Sequence, residues 1–166
     1  PLAPTALSAS IVSGSVVLSW TDAATTETGF KIERKLGAGA FTQIGTVGAD
    51  ITTFTDATVV SETAYAYRVR ATNAGGDSAF SPEAAATTAP STPTGLVATA
   101  SVHNAVQLTW TDSSTTETEF RIERAIGAGA FAEIATVGAN TNVYTDGTVV
   151  EATAYSYRVR ASNTGG

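Results

Sequence analysis

Two short acidic runs hold the densest set of groups capable of chemistry in this chain of 166 residues. Asp22 and Glu27 follow Trp20, and Asp112, Glu117 and Glu119 follow Trp110. Carboxylates gathered in a loop can hold Ca²⁺, which takes about six to eight oxygen ligands. Two or three carboxylates fall short of that number, and their spacing does not fit an EF-hand loop. They read more simply as turn chemistry. Asp22 and Asp112 bond back to nearby backbone N–H groups, and Glu27 and Glu117 meet a nearby arginine. No metal site is expected.

Nucleophilic catalysis needs a nucleophile beside a base that a third group orients. The single histidine, His103, stands alone, and there is no cysteine. No catalytic residue is therefore expected. The runs Gly37-Ala38-Gly39-Ala40 and Gly127-Ala128-Gly129-Ala130 lack the lysine and following helix of a phosphate loop, so they read as hairpin turns and no cofactor is expected. Without Cys or Met there is no disulfide framework, no thiolate metal site and no sulfur to oxidise. The net charge is −6 and the basic residues are scattered, which argues against nucleic acid and anionic membrane surfaces as partners. No apolar run approaches the roughly 20 residues of a membrane span, so membrane insertion is not expected.

The elements that carry these residues come in two copies. Trp20 to Gly76 reads WTDAATTETGFKIERKLGAGAF…TAYAYRVRATNAGG, and Trp110 to Gly166 reads WTDSSTTETEFRIERAIGAGAF…TAYSYRVRASNTGG, at a constant offset of 90 residues. Upstream, Pro4-Thr5-Ala6-Leu7 answers to Pro93-Thr94-Gly95-Leu96 at an offset of 89, so one residue is inserted between Leu96 and Val106. Copies of this length can each own a core. They define domains at 1–89 and 90–166. The Pro- and Thr-rich stretch 87–93 between them predicts a short, stiff linker. Thr87, Thr88, Ser91, Thr92 and Thr94 are candidate carriers of O-linked sugar.

Period-2 alternation recurs within each copy. Val16, Leu18 and Trp20 share one strand face. Phe30 and Ile32 point away from Lys31 and Glu33. Tyr65, Tyr67, Val69 and Ala71 point inward and leave Ala66, Arg68 and Arg70 outside. Copy two repeats the pattern through Trp110, Phe120, Ile122, Tyr155, Tyr157, Val159 and Ala161. Strands with one apolar face belong to antiparallel sheets packed on a core. Arg68 and Arg70 with Glu33, and Arg158 and Arg160 with Glu123, are placed on outer faces as ion pairs. The remaining aromatics, Phe41, Phe54 and Phe80 among them, fall on core or strand positions, which leaves little for a sugar-binding platform.

Each copy resembles a fibronectin type III domain of the kind found in bacterial extracellular proteins. The resemblance rests on Pro4, Leu7 and Trp20, then Phe30-Lys31-Ile32-Glu33-Arg34, Val59-x-x-x-Thr63-x-Tyr65, Tyr67-x-Val69-x-Ala71-x-Asn73, and Gly76-Asp77-Ser78-Ala79-Phe80-Ser81. It implies an all-β fold of two tandem immunoglobulin-like antiparallel sandwiches. Trp20, Tyr67, Trp110 and Tyr157 then take core positions. Tyr65 and Tyr155 become tyrosine-corner residues, whose hydroxyls bond to nearby backbone. Ser61 and Glu151 stand where the family often has proline.

Copy one continues through Ser81–Thr88, for which copy two shows no equivalent, so the second sandwich is expected to lack its last strand. A bare edge of that kind invites strand pairing. The expected partners are neighbouring domains of a longer parent protein or identical chains. The implied role is a non-catalytic spacer or interaction module of a secreted or cell-surface bacterial protein, with filamentous assembly as an extension. The competing role is a carbohydrate-binding or adhesive accessory module of an extracellular enzyme.

Overall fold

A computed structural model of the chain describes residues 1–101 and 104–166. It is all-β and divides into two compact units, Pro1–Thr88 and Ala89–Thr164, with Gly165 assigned to the first and Gly166 to the second.

Unit 1 is a sandwich of two antiparallel sheets. One sheet has the order β1 (Thr5–Val12), β2 (Ser15–Thr21), β5 (Thr53–Asp56). The other runs β4 (Thr42–Gly48), β3 (Gly29–Leu36), β6 (Ala64–Asn73), with the short β7 (Gly76–Asp77) and β8 (Ala84–Thr87) both pairing with β6. The alternating residues of β2, β3 and β6 face each other across the gap. Val16, Leu18, Phe30, Ile32, Tyr67, Val69 and Ala71 are all fully buried there, and Trp20 meets Phe30 edge-on at 5.5 Å. Burying each such side chain stabilises the fold by roughly 1.5–3 kcal/mol.

Unit 2 repeats the plan with β9 (Thr94–Ser101), β10 (Ala105–Thr111) and β13 (Val143–Asp146) in one sheet, and β12 (Ala132–Gly138), β11 (Glu119–Ile126) and β14 (Tyr155–Ser162) in the other. Leu108, Trp110, Phe120 and Ile122 form its core. The inserted residue falls in the first hairpin. Val12 pairs with Ser15 across two residues, Ser13 and Gly14, whose φ values of 48° and 80° suit the twist of a tight hairpin. Ser101 pairs with Ala105 across three.

The units differ at one edge. β6 is flanked by β3 on one side and by β7 and β8 on the other. Among the described residues β14 pairs with β11 alone. Tyr65, Tyr67, Val69 and Ala71 are buried, whereas Tyr155, Tyr157, Val159 and Ala161 are only partly covered.

The stretch expected as linker begins later than its composition suggests. Thr87 lies in β8, and Thr88 is 4% exposed, with its hydroxyl donating to the Val60 carbonyl at 2.7 Å. Such burial removes Thr88 from the candidate sugar carriers.

Candidate functional site

The loop after β2 curls through Asp22, whose Oδ1 accepts the Ala24 N–H at 2.9 Å. Asp112 does the same with Ser114 at 3.0 Å. These are the expected Asx turns. The arginine expected beside Glu27 is not its neighbour. Asp50, in the turn after β4 with φ 61°, brings its carboxylate to Asp22 and Glu27, so that oxygens of all three lie within 4.8 Å of one another. Glu27 Oε2 is buried there without a hydrogen-bond partner. The correction has a topological cause: Asp50 is remote in sequence from the acidic loop, and sheet pairing carries its turn onto it. One oxygen from each of three carboxylates fills at most half of the six to eight positions around Ca²⁺. In unit 2 the matching turn carries Asn140, whose backbone N–H donates to Glu117 Oε1 at 3.1 Å.

A second carboxylate site was not anticipated from sequence. Asp56, at the end of β5, is 3% exposed. It accepts hydrogen bonds from Arg34 at 2.7 Å, the Tyr67 hydroxyl at 3.0 Å, and the Thr58 hydroxyl and N–H at 2.7 and 3.0 Å. Unit 2 reproduces every contact with Asp146, Arg124, Tyr157 and Thr148. Burial pushes both carboxyls up, but the donors around them outweigh it and hold both below the ordinary carboxylate value. Burial and the adjacent carboxylate push the Tyr67 and Tyr157 hydroxyls above the ordinary tyrosine value. A carboxylate with its acceptor sites filled by fixed donors is a structural pin. The repeated TDAT and TDGT, aspartate two residues before threonine, is the sequence signal that marks it.

Tyr65 and Tyr155 accept the N–H groups of Val60 and Val150 at 2.9 and 3.0 Å, a tyrosine-corner geometry. Trp20 and Trp110 sit in the two cores, 5% and 4% exposed, with indole N–H groups that find no acceptor. His103 lies outside the described residues.

The outer face of the β4–β3–β6 sheet corrects a further expectation. Phe41 and Phe80 belong to neither core. Both rings meet the Arg68 guanidinium, at 4.0 and 3.6 Å from ring centroid to Cζ, and Phe80 also meets Arg70 at 4.8 Å. Arg68 and Arg70 both reach Glu33. The residues that lead to these rings are a turn and an irregular segment, where strand alternation does not apply, so the outward arginines captured them. In unit 2, Phe131 is 38% exposed and lies 4.5 Å from Arg158, which pairs with Glu123.

No family model matches the chain. It is 34% identical, over its whole length, to a segment of exoglucanase B of Cellulomonas fimi, and spans 15% of that protein. A two-domain fibronectin type III segment of chicken tenascin superposes with a TM-score of 0.52 at 16% identity, covering 95% of this chain and 90% of that one. The FN1–FN3 domains of chicken CNTN1 superpose with a TM-score of 0.55 at 20% identity, covering 99% of this chain and 60% of that one. Among the described residues no helix is long and apolar enough to cross a membrane.

Proposed function

We propose that this chain, a tandem pair of fibronectin type III domains, is a non-catalytic spacer and interaction module of a secreted or cell-surface bacterial protein. The observation that supports this reading best is the 34% identity along the whole chain to a segment that makes up 15% of an exoglucanase. The aligned segment leaves most of that enzyme outside it, which fits an accessory module. Its own polar clusters fit the role, because the carboxylates most removed from water, Asp56 and Asp146, are held by structural donors. The pair would engage neighbouring domains of a parent protein or further copies of itself.

A second reading has one observation in its favour. Phe131 is exposed beside Arg158, and an exposed aromatic ring is a natural stacking surface for a sugar. The two readings separate in a pull-down of the purified chain on cellulose, xylan and chitin. The spacer reading expects the chain in the unbound fraction on every polymer. Specific retention that Phe131→Ala removes would replace it with a carbohydrate-binding module.

A further inference from the structure

Asp146-Gly147 is the one Asp-Gly pair in the chain, and there is no Asn-Gly. Asp-Gly is the acidic pair most prone to rearrange on itself. The glycine nitrogen attacks the aspartate Cγ and a C–N bond forms. The nitrogen's proton and the carboxyl's hydroxyl leave together as water. The succinimide so formed takes water back at either carbonyl and opens to aspartate or to isoaspartate. No oxidant, reductant or cofactor enters the balance. Glycine is the fast partner because no Cβ crowds the attacking nitrogen.

Nothing in the fold asks for glycine at 147. Its φ lies outside the left-handed region, and a Cβ added there meets nothing within 4 Å. Unit 1 carries Ala57 at the same place, beside a matching network around Asp56. The reactive pair therefore occurs in unit 2 alone, at its most buried carboxylate.

The fold opposes the reaction in three ways. Both carboxylate oxygens are engaged. Oδ1 accepts the Thr148 N–H and hydroxyl at 2.9 and 2.7 Å, and Oδ2 accepts Arg124 and the Tyr157 hydroxyl at 2.7 and 2.9 Å. Swinging Cγ onto the Gly147 nitrogen gives these bonds up. Asp146 also pairs with Val106 at the end of β13, and ring closure needs its backbone turned out of that extended pairing. Finally, burial pushes the carboxyl up, but the donors around it outweigh burial and keep it ionised. An ionised carboxylate has no hydroxyl to lose.

We infer that Asp146-Gly147 is a latent isomerisation site, silent in the folded second unit and reactive when β13 opens. Isoaspartate there lengthens the main chain by one carbon and moves the carboxylate off its four donors. Unit 2 then loses the pin that joins β11, β13 and β14, by a route that Ala57 slows in unit 1. The rate of the reaction reports how often the site opens.

The test ages the intact chain at mildly acidic pH, folded in buffer and unfolded in concentrated guanidinium chloride. Isoaspartate at residues 56 and 146 is counted by electron-transfer fragmentation of the digested chain. At residue 146 the folded chain is expected to react at least about tenfold more slowly than the unfolded one, because only the opened fraction reacts. In denaturant residue 146 is expected to outpace residue 56 by about tenfold, because Ala57 carries a Cβ. Gly147→Ala removes that lead and does not lower the melting temperature. Tyr157→Phe frees Oδ2 from one donor, so it speeds the reaction in the folded chain and leaves the denatured rate unchanged. Chains aged in denaturant and returned to buffer are expected to melt earlier at Trp110, read in the Trp20→Phe background. A folded rate within tenfold of the denatured rate overturns the inference. So does a denatured rate at Asp146 no faster than at Asp56, a folded rate that Tyr157→Phe leaves unmoved, or a refolded isoaspartate chain that melts like the fresh one.

Discussion

Asp56 and Asp146 are nearly sealed from water, at 3% and 1% exposure, and each faces an arginine, a tyrosine and a threonine. Breaking such a buried pair from one side leaves a charge without compensation, at a cost of about 3–5 kcal/mol. Asp56→Ala is therefore expected to lower the stability of unit 1 by about that much in urea titrations. Tyr67→Phe removes one donor of several and costs about 1–2 kcal/mol. The same residues set the pH response. The folded carboxyls titrate below the ordinary carboxylate value of 3.8, so their contribution is full above that value and is lost as pH falls through the lower folded value. The folded tyrosine hydroxyls titrate above the ordinary tyrosine value of 10.0, so their contribution is full below that value and is lost as pH rises through the higher folded value. Melting temperatures measured from pH 2 to 12 are expected to show a plateau bounded near pH 4 and pH 10. Asp56→Ala should flatten the acid limb for unit 1. Only the Asp-x-Thr turn of this network is legible in the sequence, because Tyr67 and Arg34 lie 11 and 22 residues from Asp56 and meet it only after β3, β5 and β6 are assembled.

At the scale of elements, β2, β3, β6 and their copies were fully legible, because alternation of apolar and polar residues follows directly from the strand's period of two. The segments between strands were not. Phe41 follows the β3–β4 turn and Phe80 precedes β8, so neither inherits a face from alternation, and both settle on arginines outside the sheet. Asp50 escapes for the same reason, since a turn residue is placed by the pairing of the strands around it. These ring contacts have a measurable consequence. Arg68 touches two rings and Arg158 one. Arg68→Ala is expected to cost about 1–2 kcal/mol, and Arg158→Ala about 0.5 kcal/mol, read by chemical denaturation of each variant.

At the scale of the whole molecule, the duplication makes each unit a control for the other. Most core positions repeat between the units and the largest difference in burial falls on β6 against β14, so a difference in stability between the units reports chiefly on that face. β8 and the 77–83 run cover β6, whereas β14 leaves Tyr155, Tyr157, Val159 and Ala161 partly in solvent. This asymmetry was visible in the sequence as a stretch present once. Its consequence, the lighter burial of Tyr155, Tyr157, Val159 and Ala161, needed the side chains in place. Each unit holds a single tryptophan, so Trp110→Phe leaves fluorescence reporting on unit 1 and Trp20→Phe leaves it reporting on unit 2. The decisive measurement is thermal unfolding of these two variants followed by tryptophan emission. Trp110 in unit 2 is expected to report a transition about 10 °C or more below that of Trp20 in unit 1, since each kcal/mol shifts a domain of this size by about 4–8 °C. Coincident transitions, or a higher one for Trp110, would contradict the lighter burial of the β14 face as the source of a weaker second unit.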